Sequence, residues 1–328
     1  VKNIQRALPA ALHSSLVIAI ALPCSVLADA INDDIKTLLQ SRFAAAVILT
    51  DSDALEFGFA SFDPNELIDT GDDNLGSDSA IENRNNKSTY ILPYGFDFGA
   101  HNQHSINSKL FYINSKNDVS LVDAFDDSQQ LTEHSYGGAV GYSYQIPLSE
   151  HWTLYPSFNT YLTYYKNSYS TDVPEAQEIE DALNGRIINT SAWALLFEPG
   201  FTLDYRLPTS WGRWHASSKW NYFNGIAWGD ANDGDIGQPD GWYITNRVTG
   251  YYDLLSQKHT VFLGAKRVDL SAILQSELGA QHYYGASIGW LYNNPTHWDA
   301  IKNIGLGLNL NYGSALKGGS IVFHFNKF

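Results

Sequence analysis

His215 and Ser217 stand two residues apart, the spacing that puts two side chains on one face of a β-strand. A serine beside a histidine is the minimal arrangement for a nucleophile whose proton passes to a general base, the chemistry of ester and acyl cleavage. An acid or amide from a neighbouring strand would complete it. The surrounding residues argue for a plainer role. Trp214, Ala216, Ser218, Trp220, Tyr222, Ile226 and Trp228 make up the large face of this segment, so His215 and Ser217 point the opposite way, as polar contacts inside the protein. No catalytic residue is assigned, and the chain reads as non-enzymatic.

Other groups that could do chemistry are equally restrained. Asp230-Ala231-Asn232-Asp233-Gly234-Asp235 invites a calcium reading, but its glycine comes one position early for an EF-hand loop and the twelfth position is Gly241, not Glu. A weak divalent site bridging lipid phosphates is the alternative to a solvated acidic loop. His101 and His104 fall near a proposed turn and suggest no metal. Lys219, Arg247 and Lys266 occupy interior positions of strands, where pairing with acids is expected. The single cysteine, Cys24, lies in the N-terminal segment, so no thiol chemistry, cysteine-held metal or cofactor is expected.

That N-terminal segment has the form of a secretory signal. Lys2 and Arg6 precede the apolar run Leu16–Leu22, and Val26-Leu27-Ala28 and Ala28-Asp29-Ala30 fit small-x-small cleavage, after Ala28 or Ala30. Removing residues 1–28 takes two bases and no acid, moving the net charge from −15 to −17, which makes nucleic acid an unsuitable partner. Aromatics form 14% of the chain, with 20 Tyr and 9 Trp and no Met, a composition suited to interfacial girdles. No later stretch is long and apolar enough for a membrane-crossing helix.

The elements that would position these residues show period-two alternation. In 304–312 every even position is apolar and every odd one is Gly or Asn; Tyr284, Ala286, Ile288, Trp290 and Tyr292 alternate with small residues, as do Tyr90, Leu92, Tyr94, Phe96 and Phe98, and Tyr136, Val140, Tyr142, Tyr144 and Ile146. A soluble sandwich would turn its bulky face to a core and charge its outer face. Here the second face is Gly, Ser and Asn, as expected of an outward lipid face and a polar lumen. Twelve such segments are predicted, at about 54–62, 88–100, 104–114, 132–147, 151–167, 187–206, 212–228, 241–254, 258–269, 281–293, 302–313 and 318–328: an all-β, up-and-down transmembrane barrel over 54–328. The last segment, with Ile321, Phe323, Phe325 and Phe328, is expected to close it against the first.

The connections alternate in length. The six mostly long ones hold 21 of the 35 acids, while the short turns hold Glu150 and Asp299. Long connections are therefore expected outside the cell and short ones in the periplasm. Between signal and barrel, residues 31–50 read as a helical segment: Ile35, Leu38, Leu39 and Phe43 recur at helical spacing, with a helix over 33–47 in or near the lumen. The competing reading makes Phe43–Leu49 a strand in a hairpin with 54–62. Asp34 and Lys36 are expected to pair with lumen charges.

A helix leading into twelve strands, ended by the aromatic-x-aromatic motif Phe323-His324-Phe325, resembles the translocator domain of autotransporters. The whole mature chain resembles the solitary outer-membrane autotransporter β-domain family, which carries the barrel without a passenger. It departs from the pattern in the three residues that follow Phe325. The resemblance implies a Gram-negative outer-membrane protein, exported through the periplasm, and probed by barrel-assembly machinery at its C-terminal strand. Membrane lipid and lipopolysaccharide are the expected surroundings, and a monomer the expected state. Two other functions remain: a cation-preferring small-solute channel, and a lipid hydrolase. The His215/Ser217 pair is similar to the His-x-Ser pair of outer-membrane phospholipases and lipid A deacylases, although no Asn-Gly follows the serine.

Overall fold

In a computed structural model of the chain, the described residues are 24–55, 60–62, 64, 86–118, 129–171, 177–254, 258–294 and 301–325. The helix α1 (Cys24–Leu49) leads in. Twelve antiparallel strands follow among the described residues: β1 (Ala60–Phe62), β2 (Lys87–Phe98), β3 (His104–Asp118), β4 (Gln129–Tyr144), β5 (Trp152–Thr171) and β6 (Ser191–Thr209), then β7 (Gly212–Gly229), β8 (Asp240–Leu254), β9 (His259–Leu270), β10 (His282–Asn293), β11 (Asn303–Tyr312) and β12 (Gly318–Phe325). Ile146–Pro147 continues β4 after a break and pairs with β5. Each strand from β2 onward pairs with its neighbour in sequence, and β1 pairs with β12 through Ala60↔Ile321 and Phe62↔Gly319. A meander closes into a barrel when its first strand pairs with both the last and the second, and the ladder with the last is present here. Among the described residues no ladder joins β1 to β2.

Alternation explains why these residues form this wall. Leu92, Tyr94, Leu110, Val140, Trp220, Ile226, Leu263, Ile288, Leu306 and Phe323 are all exposed large apolar side chains on the outer face. Water would penalise so continuous an apolar surface, whereas lipid accepts it, and each strand's backbone is satisfied by its neighbours. No described helix is long and apolar enough to cross a membrane.

Several boundaries differ from expectation. β4 and β5 run further toward the long connections than the alternation suggested, because the pattern continues there with Ser, Thr and Lys on the outer face rather than with apolar residues. Ala54 and Leu55, expected to open the first strand, instead form a buried turn after α1. Two long connections carry short helices, α2 (Gln177–Leu183) and α3 (Ala272–Leu278). Residues 1–23 of the signal segment, most of the first long connection and Phe328 lie outside the described residues, while 24–28 form the start of α1.

Candidate functional site in the barrel lumen

The helix α1 has 26 residues, about 39 Å at 1.5 Å per residue, and is longer at both ends than the predicted 33–47. It resolves the ambiguity at 43–49 as helix. Ile35, Leu39 and Phe43 are buried and Leu38 is half-buried. From Phe43 to Leu49, however, every residue is buried, with no solvent-facing side. The reason is the surrounding wall. Ala192, Ala194 and Leu196 of β6, Phe223 of β7, Tyr243 of β8, Val268 and Leu270 of β9 and Tyr283 of β10 all point inward and join one core with the helix. The Tyr165 ring of β5 meets Phe43 edge-on at 6.2 Å. The lumen near the long connections is therefore apolar rather than polar as expected, because the helix that fills it is apolar all round. Each fully buried Val, Ile, Leu or Phe contributes roughly 1.5–3 kcal/mol relative to exposure.

The C-terminal end of α1 is held by charge. The Asp51 carboxylate accepts from the Lys219 ammonium at 2.8 Å and the Tyr243 hydroxyl at 2.6 Å. Asp53 lies 3.2 Å from Lys219 and 3.3 Å from Arg247. Backbone carbonyls at this end find cations too: Lys109 donates to Thr50 O at 2.8 Å, and Arg247 and Lys266 donate to Asp53 O at 3.0 and 3.2 Å. The Tyr283 hydroxyl donates to Ala54 O at 3.0 Å. The end of a helix carries partial negative charge on its unpaired carbonyls. Two aspartates add to it, and four bases from β3, β7, β8 and β9 balance the sum. Gly285 keeps the path of one of them open: a Cβ there would sit 2.8 Å from the Lys266 Cε.

At the other end, α1 meets the long connections. Lys36 pairs with Asp235 at 2.7 Å, Asn32 donates to the same carboxylate at 3.0 Å, and Asn232 donates to Asn32 at 2.7 Å. Arg42 pairs with Glu133 of β4 at 2.8 Å and with Glu277 of α3, which Lys87 of β2 reaches at 2.7 Å. Burial by itself pushes the Glu277 carboxyl up, but Arg42 and Lys87 outweigh it and hold it down at about 2. The short helix α3 can come this close because position 241 is glycine: a Cβ would lie 2.7 Å from both the Phe223 ring and the Ser271 hydroxyl. Leu274 and Leu278 of α3 are fully buried in the same core, so the loop helix lies across α1 at the mouth.

Lys219, Arg247 and Lys266 thus meet acids or carbonyls of the helix end. Asp230–Asp235, weighed for calcium, spends its polar groups on protein: Asn232 accepts from Arg186 at 3.0 Å and Asp235 holds Lys36. Among the described residues no three His, Cys, Asp or Glu side chains gather as for a metal. His101 sits exposed in the β2–β3 turn with φ 57°, and His104 meets the Tyr142 hydroxyl at 2.7 Å on the outer face. His215 faces inward near the short turns, where its Nε2 bonds Asp204, itself paired with Arg206 at 2.7 Å. Asp204 belongs to no motif in the sequence, and the β6–β7 register places it opposite Ser217. Ser217 has no hydrogen bond to His215 among the described residues. Asp51 and Asp53 carry no site signal in the sequence, where Asp51-Ser52-Asp53 reads only as the hairpin turn of the competing strand reading. At the closing strand, Phe323 is exposed, Ile321 is half-buried, Val322 and His324 are buried inward, and Phe325 lies opposite Ile304.

The fold is similar to the translocator domain of the autotransporter NalP from Neisseria meningitidis, at 12% identity over 71% of this chain and 76% of that one, TM-score 0.44. It is similar to the toluene transporter TodX of Pseudomonas putida at 13% identity, 83% and 86% coverage and TM-score 0.37. It is also similar to LpxR from Salmonella typhimurium at 8% identity, 78% and 90% coverage and TM-score 0.38. No curated protein sequence matches the chain. The pattern of one family, described as the solitary outer membrane autotransporter beta-barrel domain, spans residues 40–327, and with a helix-filled barrel of twelve strands behind that match, the chain belongs to this family of outer-membrane barrels.

Proposed function

We propose that the protein is a sealed translocator-type barrel, monomeric and non-enzymatic, whose own N-terminal helix closes the lumen. The observation that carries this reading is the lock at Asp51 and Asp53, where Lys219 and Arg247 hold both carboxylates and Lys109, Arg247 and Lys266 hold the carbonyls beside them. A helix so tied at one end, and enclosed by the wall from Phe43 to Leu49, would obstruct flow through the loop half of the lumen. In this reading residues 1–28 direct export and are cleaved after Ala28 or Ala30, residues 31–50 are the plug, and the barrel wall begins after Leu55. Lipid and lipopolysaccharide surround the wall, and assembly machinery engages β12. Ser217, without a bond to His215, fits a lumen contact better than a nucleophile.

Deleting residues 31–47 tests the plug. The strands should still assemble, since paired strands satisfy their backbone without the helix, and single-channel conductance in planar bilayers should rise well above the parent's, with cation preference from the acidic loops. A folded deletion variant that conducts no better than the parent would remove the plug from consideration. A parent that already conducts freely would establish the solute-channel reading instead.

A further inference from the structure

We infer that the outer face of β3, β4 and β5, on the side of the long connections, is a binding site for a phosphorylated glycolipid of the surrounding leaflet. An aromatic row crosses this face: Tyr90, Tyr112, Tyr136, Tyr164 and Trp193 meet in succession, with ring centroids 6.0, 4.9, 6.4 and 4.7 Å apart. Amphipathic rings of this kind settle where hydrocarbon gives way to headgroups. One step past the row toward the loops, His134 lies directly opposite Lys166, and Lys116 stands diagonally across from His134. Both lysines are exposed.

Three features point to an anionic sugar lipid. First, Lys166 directly opposite His134, with Lys116 diagonal to it, gathers three nitrogen groups on one patch, where an anion between them would find several donors. Second, the Tyr112 hydroxyl lies 3.0 Å from the His134 Nδ1; with the phenol donating, the ring proton sits on Nε2 as a donor. Third, β3, β4 and β5 continue to Asp118, Gln129 and Thr171, about 20 Å along the strands past the aromatic row at roughly 3.3 Å per residue. Their outer face there carries Asn114, Thr132 and Ser168 beside the three bases. That strip is too deep for a simple phospholipid headgroup and suits a layer of sugars and phosphates. Arg267, also on the outer face, is spent in a bidentate pair with Asp269 and adds nothing to the site.

The site rests on the long connections facing the outside of the cell. Full-length protein in nanodiscs would be offered a bis-phosphorylated glucosamine-disaccharide lipid, its dephosphorylated counterpart, or phosphatidylglycerol, and retained lipid counted by native mass spectrometry. The parent should favour the phosphorylated glycolipid. Retention should fall about fivefold for each lysine lost in Lys116→Ser and Lys166→Ser, and stay unchanged in Lys258→Ser on a short turn. Equal retention by the double variant, or of the dephosphorylated lipid, overturns the site. Lysine-dependent preference for phosphatidylglycerol overturns the glycolipid assignment, and protease access at Glu178 on intact cells then shows whether the orientation failed with it.

Discussion

Glu277 reaches the plug from a helix of seven residues in a connection that the sequence reads as a plain loop, and its ion pair with Arg42 ties the mouth to pH. Its carboxyl is held at about 2 against an ordinary 4.5, so the folded arrangement favours the charged form. A depressed carboxylate contributes its stability fully above the ordinary value and loses it as pH falls from about 4.5 toward 2. The shift corresponds to on the order of 3 kcal/mol. Bilayer conductance should therefore be silent at pH 7 and show openings as the pH drops below about 4, as α3 lets go of Arg42. Glu277→Gln should reproduce those openings at pH 7 and flatten the pH response, because removing one member leaves Arg42 buried with half its compensation. Identical traces from parent and variant at both pH values would show that this network does not hold the mouth shut.

Among the elements, α1 was legible in part. Its stripe of Ile35, Leu39 and Phe43 reads from spacing alone, while Ala44–Leu49 does not, since a short apolar run fits a buried helix and a buried strand equally. Three alanines favour helix locally, and an enclosing wall removes any need for a polar face. The inward apolar residues of β6 were hidden for the same reason: Ala192, Ala194 and Leu196 alternate with Trp193, Leu195 and Phe197, and two apolar faces give no alternation to read. At β12 the sequence was more informative, because Ile321 and Phe323 alternate with inward Val322 and His324. Polar replacement of Phe325 and Phe328 together should lower the yield of folded barrel, seen as loss of heat-modifiable mobility on gels. Unchanged folded yield would mean that closure does not depend on these rings.

For the molecule as a whole, alternation was enough to recover twelve antiparallel strands and their order, because a lipid-facing wall imposes its period on almost every segment. What alternation could not convey was the content of the lumen, which depends on contacts between residues as far apart as Asp51 and Lys219. We propose that the acid-rich long connections face outward, so protease sites at Asp73, Asp127 or Glu178 should be cut on intact cells while one at Ser149 stays protected. The reverse pattern would invert the molecule. The direction of α1 has a further consequence for how the protein forms. Its N-terminal half touches the long connections and its C-terminal end lies deeper, joined to β1 through residues 50–59. Were the ring to close first, the chain would have to be threaded through it, a course that folding chains avoid. Enclosure and closure are then a single event in time, and a fluorescent label near Phe43 and one at the β1–β12 seam should report one shared rate constant during refolding.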